Sequence, residues 1–303
     1  MHNQTVKATY NPACRMENYR FPYSSSRVDN PKKALEESGI EIIDAPPASE
    51  NDLLLAHNPE YVTKIKNTDF SSFDRIRAFL EGVPTSEDIY QIALASAGCA
   101  TKALEIVEGN GGMCFALTQP PGHHAGKSSY GGFCIFNNAA IVAKKAVQDG
   151  YKRVSIIDID VHHCNGTEEI IQGDKNIMLA SIHLKPFYPL LTGWRSKENC
   201  ENYSVLSIPG FRSATKEDYL KILDDSLEHV KNYNPELLIV SAGFDTYKKD
   251  PIGKMALEED SYAAIGKRIE TLDLPTVAVL EGGYAQEKDK LPRFVTDFSK
   301  AFI

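Results

Sequence analysis

Two aspartates and a histidine alternate along one short segment, and their residue types suit a metal ion. Asp158, Asp160 and His162 follow the apolar run 154–157 in the sequence DIDVHH. On an extended chain alternate side chains share a face, so these groups can converge on a cation that offsets their repulsion. Asp245, in SAGFD after another apolar run, adds a carboxylate. Asp160, His162 and Asp245 make a three-ligand set with an open position; one nitrogen and two oxygens suit zinc without excluding iron(II), manganese or cobalt.

Two histidines and a tyrosine offer proton transfer and hydrogen bonding. His123 and His124 leave the rigid turn QPPG, and imidazoles titrate near neutrality, as proton-transfer groups must. Tyr284 follows the paired glycines of LEGGY, and its hydroxyl could donate toward a developing oxyanion. Alone, the histidine pair more often marks a surface loop and the tyrosine a core residue. Four such fragments after strands of one sheet argue against coincidence.

The elements that must position these residues are short apolar runs, which are typical of parallel strands covered on both faces. Helix-like stretches separate them, and this alternation predicts one α/β domain, residues 1–303, with a central, mainly parallel sheet flanked by helices. In such sheets ligands bind at the carboxyl ends of the strands, where all the motifs fall. The predicted strands are Glu41–Ile43, Met113–Leu117, Val154–Asp158, Ile177–Ile182, Ser204–Ile208, Leu237–Ser241 and Thr276–Leu280, and the predicted helices are Ser86–Glu108 (capped by Thr85–Ser86), Asn137–Asp149, Lys216–Lys231 and Glu258–Thr271.

The composition is that of an ordinary globular protein, with 42% hydrophobic and 24% charged residues among 303. A net charge of −8 leaves no broad basic surface for nucleic acid. No segment approaches the roughly 20 apolar residues that span a membrane, and the amino terminus lacks the apolar core of a signal peptide. The six cysteines are scattered, so we expect reduced thiols and a cytoplasmic location.

Taken in order, the motifs QPPGHHA, GGFCIFNNAA, DIDVHHCNGT, SIH, SAGFD and LEGGY resemble those of the histone deacetylase family. The segment Ala56–Val62 is also similar to a helix near the family's amino terminus, and the resemblance runs from about Asn30 to Tyr284. Asn165, in place of aspartate, and LEGGY resemble the class II and prokaryotic members, including acetylpolyamine amidohydrolases. The resemblance implies an arginase/deacetylase-like fold and a deacetylase that hydrolyses the amide of acetyl-lysine or a similar linear acylated amine.

Carried over residue by residue, the resemblance implies zinc, or iron(II), at the three ligands named above. It also implies His124 as the general base and later the acid, and Tyr284 as the donor to the substrate carbonyl. The remaining implied site residues are His123 and Asp158 as the electrostatic partners of the base, Asn165 beside them, Gly132, Phe133, Tyr188 and Ile252 at the acyl-lysine channel, and Asp158, Ser181 and Ile182 at a structural potassium site.

Two positions depart from the family pattern near the predicted site. Gln119 stands where members usually carry arginine. Cys164 replaces a glycine after the second histidine pair, and it would be strained if that position required a positive φ.

Other features bear on the substrate. Ile252 stands where polyamine-specific relatives place a glutamate, and no long insertion lies between residues 66 and 90 to build a dimeric polyamine tunnel. Both points count against the acetylpolyamine alternative, although Glu81 or Asp88 could serve the channel rim. The partner is then an acylated small-molecule amine or an acyl-lysine peptide, and the oligomeric state stays open.

Two further alternatives are a ureohydrolase of the arginase fold and an inactive acyl-lysine binding module. A ureohydrolase normally needs two manganese ions and bridging aspartates, a role that Asp158 and Asp160 could mimic. The tyrosine of LEGGY and the histidine pair favour one metal. The complete set of ligands, histidines and tyrosine disfavours an inactive module.

Overall fold

The chain folds around one sheet of eight strands. The computed structural model describes residues 5–19, 21–190, 192, 203–209 (backbone only), 215–253 and 255–303. The strands are β1 (Val6–Tyr10), β2 (Glu41–Asp44), β3 (Met113–Ala116), β4 (Val154–Asp158), β5 (Ile177–Lys185), β6 (Tyr203–Pro209), β7 (Leu237–Ala242) and β8 (Thr276–Leu280).

The strands lie in the order β2-β1-β3-β8-β7-β4-β5-β6, and every neighbouring pair is parallel. Every residue of the four central strands β3, β8, β7 and β4 is buried, which explains their continuous apolar sequences. The register pairs Asp158 at the end of β4 with Ser241 in β7 and Ser181 in β5. The carboxyl ends of these strands therefore meet at one edge of the sheet.

Helices pack against the sheet and connect its strands. The 22-residue helix α5 is the most buried of them and contacts β1, β3 and β8. No helix in the described ranges is long and apolar enough to cross a membrane. The helices are α1 (Ser26–Glu37), α2 (Glu50–Leu54), α3 (Pro59–Lys66), α4 (Ser72–Leu80), α5 (Ile89–Asn110), α6 (Asn138–Asp149), α7 (Asn165–Ile171), α8 (Lys216–Tyr233), α9 (Ser261–Glu270) and α10 (Lys290–Lys300), with a short 3₁₀ turn at Pro12–Arg15.

The predicted α/β class is confirmed, and each predicted strand corresponds to an observed one. Strand β1 was not predicted because Lys7 and Thr9 interrupt its apolar pattern. The fold satisfies both side chains: Lys7 pairs with Glu41 at 3.0 Å, and Thr9 donates to the carbonyl of Cys99 at 2.8 Å. Helices α1 and α10 were also missed, since each contains a proline, and α10 tolerates Pro292 only because it lies in the first turn.

The predicted cap of the long helix was wrong. Helix α5 begins after Asp88, which makes no side-chain capping bond, and Ser86 instead lies 2.5 Å from the hydroxyl of Tyr19. The contact between Ser86 and Tyr19 therefore replaces the capping hydrogen bond that was predicted for the start of α5.

Helix α5 can lie where it does because Gly98 carries no side chain. A Cβ at Gly98 would lie 2.0 Å from the carbonyl oxygen of Pro46 and 2.7 Å from the nitrogen of Ala48. Both atoms belong to the backbone, so neither can move away cheaply.

We therefore expect Gly98→Ala to destabilise the protein by about 1–3 kcal/mol or more, measured by urea unfolding. Gly109→Ala is the matched control in the same helix, since a Cβ there meets nothing within 4 Å. That variant should be neutral or stabilised by up to about 1 kcal/mol through helix propensity. Equal unfolding midpoints for the two variants would contradict the packing argument.

Candidate active site

Three side chains with metal-ligating atoms converge at the carboxyl ends of β4 and β7. Asp160 and His162 lie in the bend after β4, and Asp245 follows β7. Their ligating atoms all lie within 4.8 Å of one another, and all three residues are buried. The Nδ1 atom of His162 lies 2.9 Å from Oδ1 of Asp160 and 3.1 Å from Oδ2 of Asp245. The structure thus brings together the three ligands predicted from two separate motifs.

The chemistry of this donor set fits a cation. The backbone N–H of Val161 donates to Oδ1 of Asp245 at 3.0 Å, and that of Gly282 donates to Oδ2 of Asp160 at 2.9 Å. The Oδ2 atom of Asp245 is buried and accepts no hydrogen bond of ordinary geometry. Burial, followed by the charge of Asp160, raises the pKa of Asp245 to about 7. A divalent ion between the carboxylates would offset both costs.

Two glycines make room for these carboxylates. A Cβ at Gly243 would lie 2.3 Å from Oδ2 of Asp160, and one at Gly282 would lie 2.2 Å from Oδ2 of Asp245. These glycines belong to the SAGFD and LEGGY motifs. Any side chain at either position would fill the space in which the carboxylates meet.

The two histidines of the QPPGHHA turn lie side by side next to this cluster, with ring centroids 4.0 Å apart. Nδ1 of His123 lies 3.1 Å from Oδ2 of Asp158, and Nδ1 of His124 lies 2.7 Å from Oδ1 of Asn165. Asp158 also accepts the N–H of Asp160 through Oδ1. Asp158 therefore supports a histidine and is not one of the three converging ligands.

The environments of the histidines move their pKa values in opposite directions. Burial lowers the pKa of His123, but the carboxylates of Asp160, Asp158 and Glu281 raise it well above its usual value. Burial lowers the pKa of His124 well below its usual value, and the neighbouring imidazoles of His123 and His162 add to this effect. Neighbouring groups whose pKa values are pushed apart are typical of acid–base sites.

Tyr284 reaches the same site from the turn after β8, and Gly283 before it adopts a φ of +121°. The tyrosine ring lies 5.6 Å from the ring of Phe133, and the guanidinium of Arg27 lies 4.6 Å from its centroid. Arg27 also donates to the carbonyls of Glu281 and Gly283, which holds the turn. Burial raises the pKa of Tyr284 well above 10, so its hydroxyl stays protonated and can donate.

Two of the predicted channel residues, Gly132 and Tyr188, lie next to His124. A Cβ at Gly132 would lie 2.3 Å from the ring of His124 and 3.0 Å from that of Tyr188, and the Tyr188 ring centroid is 5.0 Å from that of His124. The Glu81 carboxylate accepts hydrogen bonds through Oε2 from Tyr188 at 2.6 Å and from the N–H of Gly132 at 2.9 Å. Glu81 thus ties two channel residues together, and its carbonyl also accepts the N–H of Phe133.

Other predicted residues lie further along the same sheet edge. Ser181 and Ile182 are buried in β5 beside Asp158, and Oγ of Ser181 lies 3.0 Å from Nδ1 of His183. Ile252 is half-buried on the turn 250–253. Their roles in potassium and substrate binding stay predictions.

The two departures from the family pattern have plain structural outcomes. Gln119 is buried and donates through Nε2 to the carbonyls of Cys14 at 2.7 Å and Ser24 at 3.0 Å, which anchors the amino-terminal segment. Cys164 has a φ of −78°, so the position does not require glycine and the cysteine is not strained there. Cys200 lies outside the described residues, and the other five cysteines are free and buried.

Three residues that the structure places at this site were not predicted from the sequence, and a fourth was predicted only for the channel rim. Asp250 lies shortly after the SAGFD motif, and Glu281 lies within LEGGY. A charged residue directly after a buried strand was a usable signal for Glu281. Glu81 was considered only for the rim. Arg27 is distant in sequence from every motif, and no local pattern marked it.

A family model and several relatives match this chain. The family model of the histone deacetylase domain matches residues 21–302. Acetylpolyamine amidohydrolase 1 of Pseudomonas aeruginosa is 38% identical over 213 residues, which cover 67% of this chain and 60% of that protein. A probable deacetylase of Archaeoglobus fulgidus is 32% identical over 298 residues, which cover 94% of this chain and 80% of that protein.

Solved structures show the same fold. The acetylpolyamine aminohydrolase from Burkholderia pseudomallei superposes with a TM-score of 0.87 at 24% identity, covering 98% of both chains. The HD domain of HDA15 superposes with a TM-score of 0.85 at 24% identity, covering 99% of this chain and 89% of that one. The chain spans about 60% of the length of the acetylpolyamine amidohydrolases that it matches in sequence. Its match to the family model covers almost its whole length, and the protein therefore belongs to the histone deacetylase family.

Proposed function

We propose that the protein is a zinc-dependent deacylase that hydrolyses the amide of an N-acyl amine, such as acetyl-lysine or a similar linear acylated amine. The observation that carries the proposal is the convergence of Asp160, His162 and Asp245 beside His124. Relatives named as deacetylases and acetylpolyamine amidohydrolases support it.

Asp160, His162 and Asp245 would hold the catalytic ion, and one nitrogen with two carboxylates suits zinc. When bound, such an ion polarises the amide carbonyl and lowers the pKa of water toward about 7. A structural potassium ion at Asp158, Ser181 and Ile182 is part of the same proposal.

His124 is built to act as a base. Its Nδ1 faces the amide oxygen of Asn165, which can only accept, so Nδ1 carries the proton and Nε2 is left as the acceptor. The lowered pKa keeps this ring neutral before reaction. His124 then takes a proton from the attacking water and returns it to the leaving amine, a role typically worth about 10²–10⁴-fold in rate.

Tyr284 donates its hydroxyl hydrogen to the substrate carbonyl and then to the oxyanion. Its ring is held by Arg27 and Phe133, so the donor is oriented before substrate arrives. A donor of this kind contributes about 3–4 kcal/mol to the transition state. The ring of Phe133 lies beside Tyr284 and that of Tyr188 beside His124, and such aromatic walls favour a linear, apolar stem between the acyl group and the rest of the substrate.

A second candidate is acetylpolyamine hydrolysis, which Glu81 supports. Its carboxylate lies at the channel residues Gly132 and Tyr188, where it could meet a second ammonium group on the substrate. A two-metal ureohydrolase is disfavoured because Asp158 engages His123. An inactive module does not explain the opposed pKa shifts of the histidine pair.

Hydrolysis of a fluorogenic acetyl-lysine peptide by the purified, zinc-loaded protein tests the proposal. Turnover should stop with a chelator and return with zinc. Tyr284→Phe should keep its metal content while kcat falls about 10²–10³-fold, since one oxyanion donor is lost. Tyr233→Phe, whose hydroxyl bonds the carbonyl of Lys175 away from the site, is the control and should keep wild-type turnover. Equal turnover in the Tyr284 variant would remove that residue from the mechanism.

Asn165→Asp should shift the pH dependence of kcat/KM. A carboxylate facing Nδ1 of His124 stabilises the imidazolium and raises the pKa of His124, so the neutral base is lost at a higher pH. The acid limb of the profile should therefore move to higher pH, and activity below it should fall. Asn67→Asp, on the exposed end of α3, should leave the profile unchanged. An acid limb that stays in place would exclude His124 as the group that it reports.

Glu81→Gln separates the two candidate substrate classes. The variant keeps an acceptor for Tyr188 but loses the negative charge, so a substrate with a second ammonium group loses one ion pair. We expect kcat/KM for an N-acetylpolyamine to fall about 5-fold, as for a partly exposed pair worth about 1 kcal/mol, and that for a neutral acetyl-lysine peptide to stay the same. An equal change for both substrates would rule out charge recognition by Glu81.

A further inference from the structure

Two fully buried carboxylates, Asp250 and Glu281, lie at the site without belonging to the ligand cluster. Both are 0% exposed, and no lysine or arginine side chain in the described part of the chain forms an ion pair with either. Burying a carboxylate is costly unless hydrogen bonds compensate it. Backbone N–H groups of residues that carry or support the catalytic side chains bond both oxygens of Asp250 and the Oε2 atom of Glu281, while Oε1 of Glu281 is buried without a hydrogen-bond partner.

Asp250 holds the backbone of Tyr284. Its Oδ2 accepts the N–H of Tyr284 at 2.6 Å, while its Oδ1 accepts those of Ile252 at 2.8 Å and Gly253 at 3.0 Å. A Cβ at Gly253 would lie 2.0 Å from the carbonyl oxygen of Asp245, so this turn is pressed against the backbone of a metal ligand. Asp250 therefore connects the tyrosine turn to the ligand strand.

Glu281 holds the turn that carries the two histidines. Its Oε2 accepts the N–H of Gly122 at 2.7 Å and that of His123 at 3.1 Å. The turn has little freedom on its other side, since a Cβ at Gly122 would lie 2.5 Å from the nitrogen of Asn138. The N–H of Glu281 itself bonds the carbonyl of Ala242 at 3.0 Å, which ties this carboxylate to β7.

We propose that Asp250 and Glu281 are positioning residues with separate duties: Asp250 places the hydroxyl of Tyr284, and Glu281 places the histidine pair. The inference rests on the proposed function, because it concerns where those groups meet the substrate. Neither carboxylate touches the reacting atoms. A displacement of about 1 Å in a catalytic group costs about 10²-fold in rate. Loss of either positioning carboxylate should therefore change kcat more than it changes KM.

Asp250→Asn and Glu281→Met test this directly. Both oxygens of Asp250 accept N–H groups, so an asparagine amide there must lose part of this bonding. Only Oε2 of Glu281 accepts, so a glutamine could keep both bonds through its remaining oxygen, whereas Met of similar length has no acceptor oxygen. We expect kcat for the acetyl-lysine peptide to fall about 10–100-fold while KM changes less than about 3-fold and zinc content is retained. Asp174→Asn is the matched control: Asp174 also accepts a backbone N–H two residues on, from Asn176, but it pairs with Lys144 away from the site. That variant should keep wild-type kcat.

Crossed double-mutant cycles assign each anchor to its catalytic group. Asp250→Asn should add little to the loss of kcat in Tyr284→Phe, because the hydroxyl that Asp250 places is already gone. In combination with His124→Ala, the losses of kcat from the two substitutions should multiply. Glu281→Met should show the reverse pattern. If the two residues acted only on general stability, the losses of kcat would combine in the same way in all four double variants. That result would overturn the proposal, as would wild-type kcat in both single variants.

The length variants Asp250→Glu and Glu281→Asp keep the charge but move the acceptor by one methylene. They should lose kcat as Asp250→Asn and Glu281→Met do, and they carry the same cycles if one of those variants does not fold. Loss of folding in both variants at a position would show a structural role there and would also overturn the proposal. Absence of any turnover in the zinc-loaded wild type would instead count against the proposed function.

Discussion

The structure depends on how it accommodates concentrated negative charge in a buried place. Among the residues that the structure describes, five carboxylates are fully buried around the carboxyl ends of β4, β7 and β8. In a medium of low polarity their repulsion and desolvation would unfold the site unless each charge were matched. The five are Asp158, Asp160, Asp245, Asp250 and Glu281.

The fold matches these charges in three different ways, and the division defines the function. Asp158 faces an imidazole, that of His123. Asp250 and Glu281 face backbone N–H groups. Asp160 and Asp245 share His162, and Oδ2 of Asp245 accepts no ordinary hydrogen bond, which is the arrangement that a cation completes. The glycines of the surrounding turns let these groups approach, because a Cβ in their place would collide with the carboxylate oxygens.

Much of this arrangement could be predicted from local sequence. The apolar, β-branched runs indicated seven of the strands, and residues placed directly after them had to meet at one edge because parallel strands end together. The ligands, the histidine pair and Tyr284 followed from that rule. Strand β1 and helices α1 and α10 were not predictable in the same way, since lysine, threonine and proline interrupt their patterns and only tertiary partners make those residues acceptable.

By itself the sequence determined the parallel α/β fold and the set of chemically capable side chains, since these follow from residue types and their periodicity, and the resemblance of its motifs indicated the family. Only the tertiary structure decided which carboxylate does what. Asp158 and Asp160 stand two residues apart, yet one faces His123 and the other joins the ligands. Arg27 and Asp250 meet Tyr284 through contacts that span more than 30 residues. Such contacts depend on how distant turns pack, and no local pattern encodes that packing.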